Sequence, residues 1–256
     1  MNQSEKRLFL IQSLLKENQE YRDMNIPAEP ESQRQLLRGL MNIRMPRRIG
    51  ADFLKMQDEY LQSETAAKGI TDIADLTPIQ QGLYLWQGDI TTLKCDAIVN
   101  AANSGMTGCY IPNHRCIDNA IHTFAGVELR LACEELMEQQ GYPEPTGQAK
   151  ITPAFNLPCR YVLHTVGPII SGRVTKEDKE LLASCYRSCL ELAAENGLES
   201  VAFCCISTGE FHFPNEQAAQ IAVETVKQFM NRKTSVKKVI FNVFKDLDKV
   251  IYEKLL

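Results

Sequence analysis

The hydrophobic pattern changes its period near residue 80. Before that point apolar residues recur at helical spacing. Leu8, Ile11, Leu14 and Leu15 fall on one face of a helix that Ser4 can cap and that runs to about Asn18. Asn25-Ile26-Pro27-Ala28-Glu29-Pro30 is a break. A second helix is expected over Gln33–Met41 and a third over Ala51–Ala67, ending at Gly69. No catalytic constellation falls in this part. It reads as a helical extension, residues 1–80, packed on a domain spanning 81–256. A partner-docking surface is the other reading.

From Leu83 short apolar runs alternate with amphipathic stretches. Strands are expected at Leu83–Trp86, Ala97–Asn100, Gln148–Phe155, Tyr161–Val166, Val201–Ile206 and Lys238–Phe244. One helix is expected over Ile117–Gln140, with Ile121, Phe124, Leu129, Ala132 and Leu136 on its apolar side. Others follow at Glu177–Asn196, Asn215–Arg232 and Asp246–Leu255. This alternation predicts an α/β fold, a mixed sheet with helices on both faces. Ligands in such folds sit beyond the carboxyl ends of strands. The loops after Asn100, Val166 and Ile206 are therefore the places to look.

Composition narrows the partners. With 44% hydrophobic and 23% charged residues, the 256-residue chain can bury an ordinary core. A net charge of −4 argues against an extended nucleic-acid partner. No run approaches the roughly 18 apolar residues of a membrane span. Near the start, Gln12 and Lys16 interrupt the apolar run after Lys6 and Arg7, so no secretory leader is expected. Nine cysteines, an odd number, then predict a cytoplasmic, reducing setting with thiols that are free or bind metal.

The chemistry collects between Asn100 and His122. Asn100 and Asn103 bracket two alanines, so a ligand can approach closely and meet amide donors and acceptors. That suits a polyol such as ribose; plain turn chemistry is the alternative. Cys109, His114 and Cys116 form C-x4-H-x-C in one loop. Two thiolates and an imidazole suit zinc, and three protein ligands leave a position open for chemistry. The alternative is two buried cysteines and an exposed histidine, with His122 as another possible ligand. Asp118 follows at a helix start, as a cap or as a base toward water. Elsewhere, Asp89 after Gly88 can accept from an exocyclic amine such as adenine N6, or cap a turn. Ile206-Ser207-Thr208-Gly209-Glu210-Phe211-His212-Phe213-Pro214-Asn215 leads from a strand into a helix, a ready anion site or a plain capped turn. Phe211 and Phe213 can pack there on a sugar or base. His164, in His164-Thr165-Val166-Gly167-Pro168, reads as a core residue.

Five segments, in order, resemble the motifs of the macrodomain family, which binds ADP-ribose. They are Gly88-Asp89-Ile90-Thr91, Ala97-Ile98-Val99-Asn100-Ala101-Ala102-Asn103, Asp118-Asn119-Ala120-Ile121-His122, His164-Thr165-Val166-Gly167-Pro168 and Ile206-Ser207-Thr208-Gly209. The resemblance covers about residues 80–256 and implies the three-layer macrodomain fold. Within the family, Ile117-Asp118-Asn119-Ala120-Ile121-His122 is similar to the hydrolase branch, with Asn119 where a glycine is usual. The glycine string usual before that aspartate is replaced by Gly108-Cys109-Tyr110-Ile111-Pro112-Asn113-His114-Arg115-Cys116. This resembles the zinc-containing subgroup, which also carries an N-terminal helical extension.

The resemblance implies a zinc-dependent hydrolase that removes mono-ADP-ribose from modified proteins. Asp89 and Ile90 would meet the adenine, and Asn103 the distal ribose. Ser207, Thr208, Gly209, Glu210 and Phe211 would wrap the diphosphate. Asp118, with Asn103, would act at the distal ribose beside zinc on Cys109, His114 and Cys116. The partner implied is a protein modified by a sirtuin-like transferase, such as a lipoyl-carrier protein. A non-catalytic ADP-ribose reader and a deacetylase of O-acetyl-ADP-ribose are the other readings of the same cleft.

Overall fold

The computed structural model describes residues 1–256 and divides their apolar side chains between two cores. The smaller core belongs to three helices, α1 (Gln3–Glu17), α2 (Pro30–Ile43) and α3 (Ala51–Lys68). Leu10, Ile11, Leu14 and Leu15 of α1 meet Leu37, Leu40 and Met41 of α2 and Phe53, Tyr60 and Leu61 of α3. Asn2, rather than Ser4, caps α1. Its side chain accepts from the Glu5 N–H, and the Glu5 carboxylate accepts from the Asn2 N–H, a reciprocal capping box. α2 starts earlier than expected because Pro30 suits the first helical turn, where its missing N–H matters least.

The larger core lies on both faces of a six-stranded sheet. The strands are β2 (Leu83–Gln87), β4 (Ala97–Ala101), β5 (Ala149–Pro153), β6 (Tyr161–Thr165), β7 (Ser200–Phe203) and β8 (Lys238–Val243). Their order is β2-β8-β7-β4-β6-β5, and all neighbours are parallel except β5, which runs antiparallel to β6. The sheet is thus mixed. Ala97, Ile98, Val99 and Asn100 of β4 are all buried, as a strand covered on both faces requires. A separate parallel pair, β1 (Thr71–Asp72) and β3 (Leu93–Lys94), was not expected from the pattern; two residues are too few to show a period.

α6 (Lys176–Glu195), α7 (Asn215–Met230) and α8 (Asp246–Leu255) pack in a row. α4 (Ile117–Ala125) packs on β4, and α5 (Val127–Gln140) packs on β5. The extension joins this side, with α2 and α3 both against α4. No helix is long and apolar enough to cross a membrane.

Two expectations need correction. The single helix over Ile117–Gln140 is two helices, broken at Gly126, whose φ is 98°. The break is where the extension lands. Gln57 of α3 accepts the Val127 N–H at 2.9 Å, and a Cβ on Gly126 would lie 2.6 Å from the Gln57 amide. A tertiary bond therefore replaces a helical one. The strand expected over Val201–Ile206 ends at Phe203. β7 pairs with β4 only through Val201 and Ala202, after which the chain turns into the loop before α7.

Candidate active site

The loop after β4 returns through α4 and brings Asn100, Asn103 and Asp118 together. The Asn100 amide donates to Asp118 Oδ1 at 2.8 Å, and the Asn103 amide donates to Asp118 Oδ2 at 3.3 Å. Asp118 is only 5% exposed. Burial pushes its carboxyl up to about 6, against the pull of the Asn100 amide, the Arg130 charge and the Asn103 amide. Such a group can hold or release a proton near neutrality. Asn103 also donates to the Gly108 carbonyl at 3.1 Å and accepts the Gly105 N–H at 2.9 Å, so it shapes its own loop.

His164 lies beneath, opposite Asn100 in the β4–β6 register. Its Nδ1 is 3.2 Å from the Asn100 amide nitrogen and its Nε2 is 2.9 Å from Thr152 Oγ1. Burial holds its pKa down to about 3, so the ring is neutral. It is a satisfied core residue. His122 is also buried, with Nε2 3.5 Å from Asp118 Oδ1, and a Cβ at Gly108 would lie 2.8 Å from its ring. It groups with Cys133 and His164, not with the loop cysteines.

Cys109, His114 and Cys116 do converge. Their donor atoms all lie within 4.8 Å of one another, and Cys109 Sγ is 3.7 Å from His114 Nδ1. A tetrahedral zinc with bonds of about 2.0 Å to nitrogen and about 2.3 Å to sulfur sets such a pair about 3.5 Å apart. The donor set therefore fits zinc in kind and in spacing. Burial pushes the Cys116 thiol up to about 12, with the Asn119 N–H opposing it and Cys109 adding to it. A cation would relieve that penalty by sharing the thiolate charge. The other ring nitrogen, His114 Nε2, faces the Glu210 carboxylate at 3.7 Å. Carboxylates commonly orient metal-bound histidines in this way. Glu210, expected at the diphosphate, thus reaches across to the cysteine loop.

The loop from Ser207 to Pro214 forms the facing wall. Ser207 takes φ 64°, and its hydroxyl is buried without a protein partner. A buried hydroxyl without a protein partner can serve a ligand atom. Gly167, at the exit of β6, lets the loop close in: a Cβ there would lie 2.0 Å from Ser207 Oγ. Above Gly209 there is open space, and α7 begins with no side-chain cap on its N–H groups. Thr208 Oγ1 instead turns back to the Cys205 carbonyl at 3.0 Å. Phe213 corrects an expectation. It is 1% exposed, a core anchor that no sugar or base can reach, while Phe211 is half-buried.

Asp89 caps the short 3-10 turn Ile90–Thr92. Oδ1 accepts from the Thr91 N–H at 3.0 Å and the Thr91 hydroxyl at 2.6 Å. Oδ2 accepts from Lys68 Nζ at 3.1 Å, and the same ammonium sits 3.2 Å over the Phe124 ring. An incoming base amine must share Oδ2 with Lys68. Ile90 is 1% exposed, so its side chain belongs to the core and only its main chain can serve a ligand. Phe124 and Asp118 sit on α4 about 9 Å apart along the axis, at about 1.5 Å per residue. The helix therefore spaces the Asp89 end of the cleft from the Asp118 end.

Three contributors were not visible in the sequence. Arg38 and Asn42 reach the cysteine loop from α2, across sequence separations of 76 and 71 residues. Lys68 reaches Asp89 from the end of α3. Arg38 and Lys68 are ordinary helix cations in the sequence, and Asn42 is a lone polar residue in an apolar stretch, buried in the fold; none carries a local signal of its partner.

Comparison with known proteins bears on the family. Residues 99–222 match the Macro domain. Over all of both chains, the sequence is 58% identical to a protein of Treponema medium named protein-ADP-ribose hydrolase. It is 48% identical to a protein of the same name from Staphylococcus aureus, covering 96% of this chain and 93% of that one. Among solved structures, a mutant Oceanobacillus iheyensis macrodomain with ADPR superimposes with a TM-score of 0.63 at 39% identity, covering 70% of this chain and 95% of that one.

Proposed function

This chain belongs to the Macro domain family, and we propose that it is a protein-ADP-ribose hydrolase that frees mono-ADP-ribose from modified side chains. The observation that carries the proposal is a juxtaposition. A three-donor group, Cys109, His114 and Cys116, leads directly into a buried carboxylate, Asp118, with Cys116 capping the helix that bears Asp118. A reader of ADP-ribose needs the cleft but not this pair.

In this proposal Ser207 and the uncapped start of α7 receive the diphosphate, and Asp89 receives the base. The distal ribose then lies near Asp118 and the cysteine loop. Asn100 and Asn103 fix both oxygens of Asp118. With its raised pKa, that carboxylate takes a proton from the attacking water as the bond between ribose and side chain breaks. The leaving side chain takes up a proton in turn. Zinc, when bound by Cys109, His114 and Cys116, supplies Lewis-acid polarisation and orientation at the ribose. The proposed site is a zinc-containing variant of the family, acting in the cytoplasm. Its proposed substrates are proteins modified by a sirtuin-like transferase, a lipoyl-carrier protein among them.

The test is release of ADP-ribose from mono-ADP-ribosylated protein, a lipoyl-carrier protein included. It compares the native protein, a chelated sample, the same sample with zinc restored, and Asp118→Ala. Release should require zinc and fall sharply in Asp118→Ala. Full release after complete metal removal would end the zinc reading. Tight ADP-ribose binding with no release from any linkage would favour a reader. Turnover confined to O-acetyl-ADP-ribose would favour the deacetylase.

A further inference from the structure

The cysteine loop has little internal structure of its own. Between Cys109 and Cys116 the only backbone hydrogen bond runs from the His114 N–H to the Ile111 carbonyl, at 3.2 Å. Apart from the Cys109–His114 side-chain contact, its other polar contacts lead outward, and three of them go to one buried residue. Asn119 donates through its side-chain amide to the Ile111 carbonyl at 3.1 Å and the Cys109 carbonyl at 3.5 Å. Its backbone N–H points at Cys116 Sγ, 3.4 Å away. Asn119 therefore touches both cysteine-bearing ends of the loop and its middle. A glycine at this position could make only the backbone contact.

The free end of that amide is held from the extension. Arg38 of α2 grips Asn119 Oδ1 with Nε at 3.2 Å and a terminal nitrogen at 2.8 Å. The same terminal nitrogen donates to the His114 carbonyl at 3.0 Å. One turn on, Asn42 accepts the Asn113 N–H at 3.0 Å and donates to Thr123 Oγ1 at 3.0 Å. Thr123 in turn donates to the Asn119 carbonyl at 2.7 Å. Gly39, between them, brings α2 close: a Cβ there would lie 3.3 Å from the Asn113 side chain. Arg38, Gly39 and Asn42 thus present one face of α2 to the loop.

We propose that α2 of the N-terminal extension is the platform that pre-shapes the metal loop, and that Arg38 is a positioning residue acting through Asn119 and the His114 carbonyl. The proposal rests on the zinc reading above. Metal ligands act well only when held to within about half an ångström, and the groups around them do the holding. A guanidinium suits the task because its planar fork grips one amide oxygen and reaches a second carbonyl at once. The extension is thereby part of the active site without touching the reacting atoms.

The experiment uses the full chain as Arg38→Ala, Arg38→Lys and Asn119→Gly, each checked for native circular dichroism. Zinc affinity is read by competition with a chromophoric chelator. Ligand geometry is read from the thiolate-to-cobalt absorption of the Co2+ form. Loop order is read from the rate of tryptic cutting at Arg115, which is exposed. Arg38→Ala should weaken zinc binding about tenfold to a hundredfold, alter the cobalt band and speed cutting at Arg115. Arg38→Lys should recover only part, since an ammonium lacks the fork. Asn119→Gly should act in the same direction, and the double variant should fall short of the summed effects because the two share one contact. A purely structural loss would lower thermal stability and leave the cobalt band in place. Zinc affinity within twofold of the native value in folded Arg38→Ala, with unchanged cutting, would overturn the proposal. If the native chain takes up no zinc, the zinc reading falls by itself; an unchanged cutting rate at Arg115 in Arg38→Ala then overturns this proposal too.

Discussion

Two loops wall the cleft, and they are held in opposite ways. The Ser207–Pro214 loop largely holds itself, with one backbone bond from a distant segment, from the Ile170 N–H to the Phe211 carbonyl at 2.9 Å. Its backbone closes on itself from His212 N–H to the Gly209 carbonyl at 3.0 Å and from Phe213 N–H to the Ser207 carbonyl at 2.9 Å. Ser207 and His212 adopt positive φ, and Phe213 is sunk into the core beneath. The Cys109–Cys116 loop is held from outside, by α2, by Asn119 and by Arg130. Arg130 stacks on Tyr110, 4.2 Å from its ring, and donates to the Asn42 and Arg44 carbonyls at the end of α2, both at 2.6 Å. A self-held loop can present fixed N–H groups to a ligand common to a whole family. An externally held loop can change its ligands while its supports change with it.

Four outcomes would break or sharpen this contrast. Phe213→Ala should have the largest effect, removing about 3–5 kcal/mol of stability as a buried aromatic is lost. Chemical denaturation would measure it. Zinc content should stay at the native level in the fraction that remains folded; loss of zinc would mean the loops are not independent. Cys116→Ala should lower ADP-ribose release on the order of a hundredfold, to the level of chelated native protein. A rate well above the chelated control would show that the remaining two ligands suffice. Gly167→Ala should cost about 1–3 kcal/mol through overpacking against Ser207 Oγ. Calorimetric titration with ADP-ribose should show weaker binding, while cobalt absorption is unchanged. Glu210→Gln should have the smallest effect, because its side chain is 70% exposed. Zinc affinity should fall roughly threefold to tenfold, below the usual range for a buried supporting carboxylate. A larger drop would mean that the two loops clasp each other through His114.

Much of the fold was legible. The strand at Ala97–Ala101 and the helices at Ala51–Lys68, Asn215–Met230 and Asp246–Leu255 lie within two residues of their expected ends. Their apolar periods are long and their terminators clear. The helix break at Gly126 was not legible, because Gln57 creates it from another part of the chain. At the site, the types and spacing of Cys109, His114 and Cys116 marked a possible metal loop, and Asp118 marked its exit. Nothing marked Arg38 or Lys68. Phe213 looked like a ligand-facing aromatic because its neighbours are polar, yet it is buried.

The sequence by itself determined the order of elements, the alternation that builds a mixed sheet, and the chemical kinds of group in each loop. Those depend on neighbours within a turn or a strand, and period and capping report them. Only the tertiary structure decided what those groups do. Asp118 is an ordinary helix-start aspartate until burial raises its pKa against the pull of two asparagine amides. The cysteine loop has one internal backbone bond until a helix some eighty residues earlier grips it through Asn119. The physical reason is the same in both cases. Burial and long-range hydrogen bonds change the energy of a side chain without leaving a local mark on the sequence.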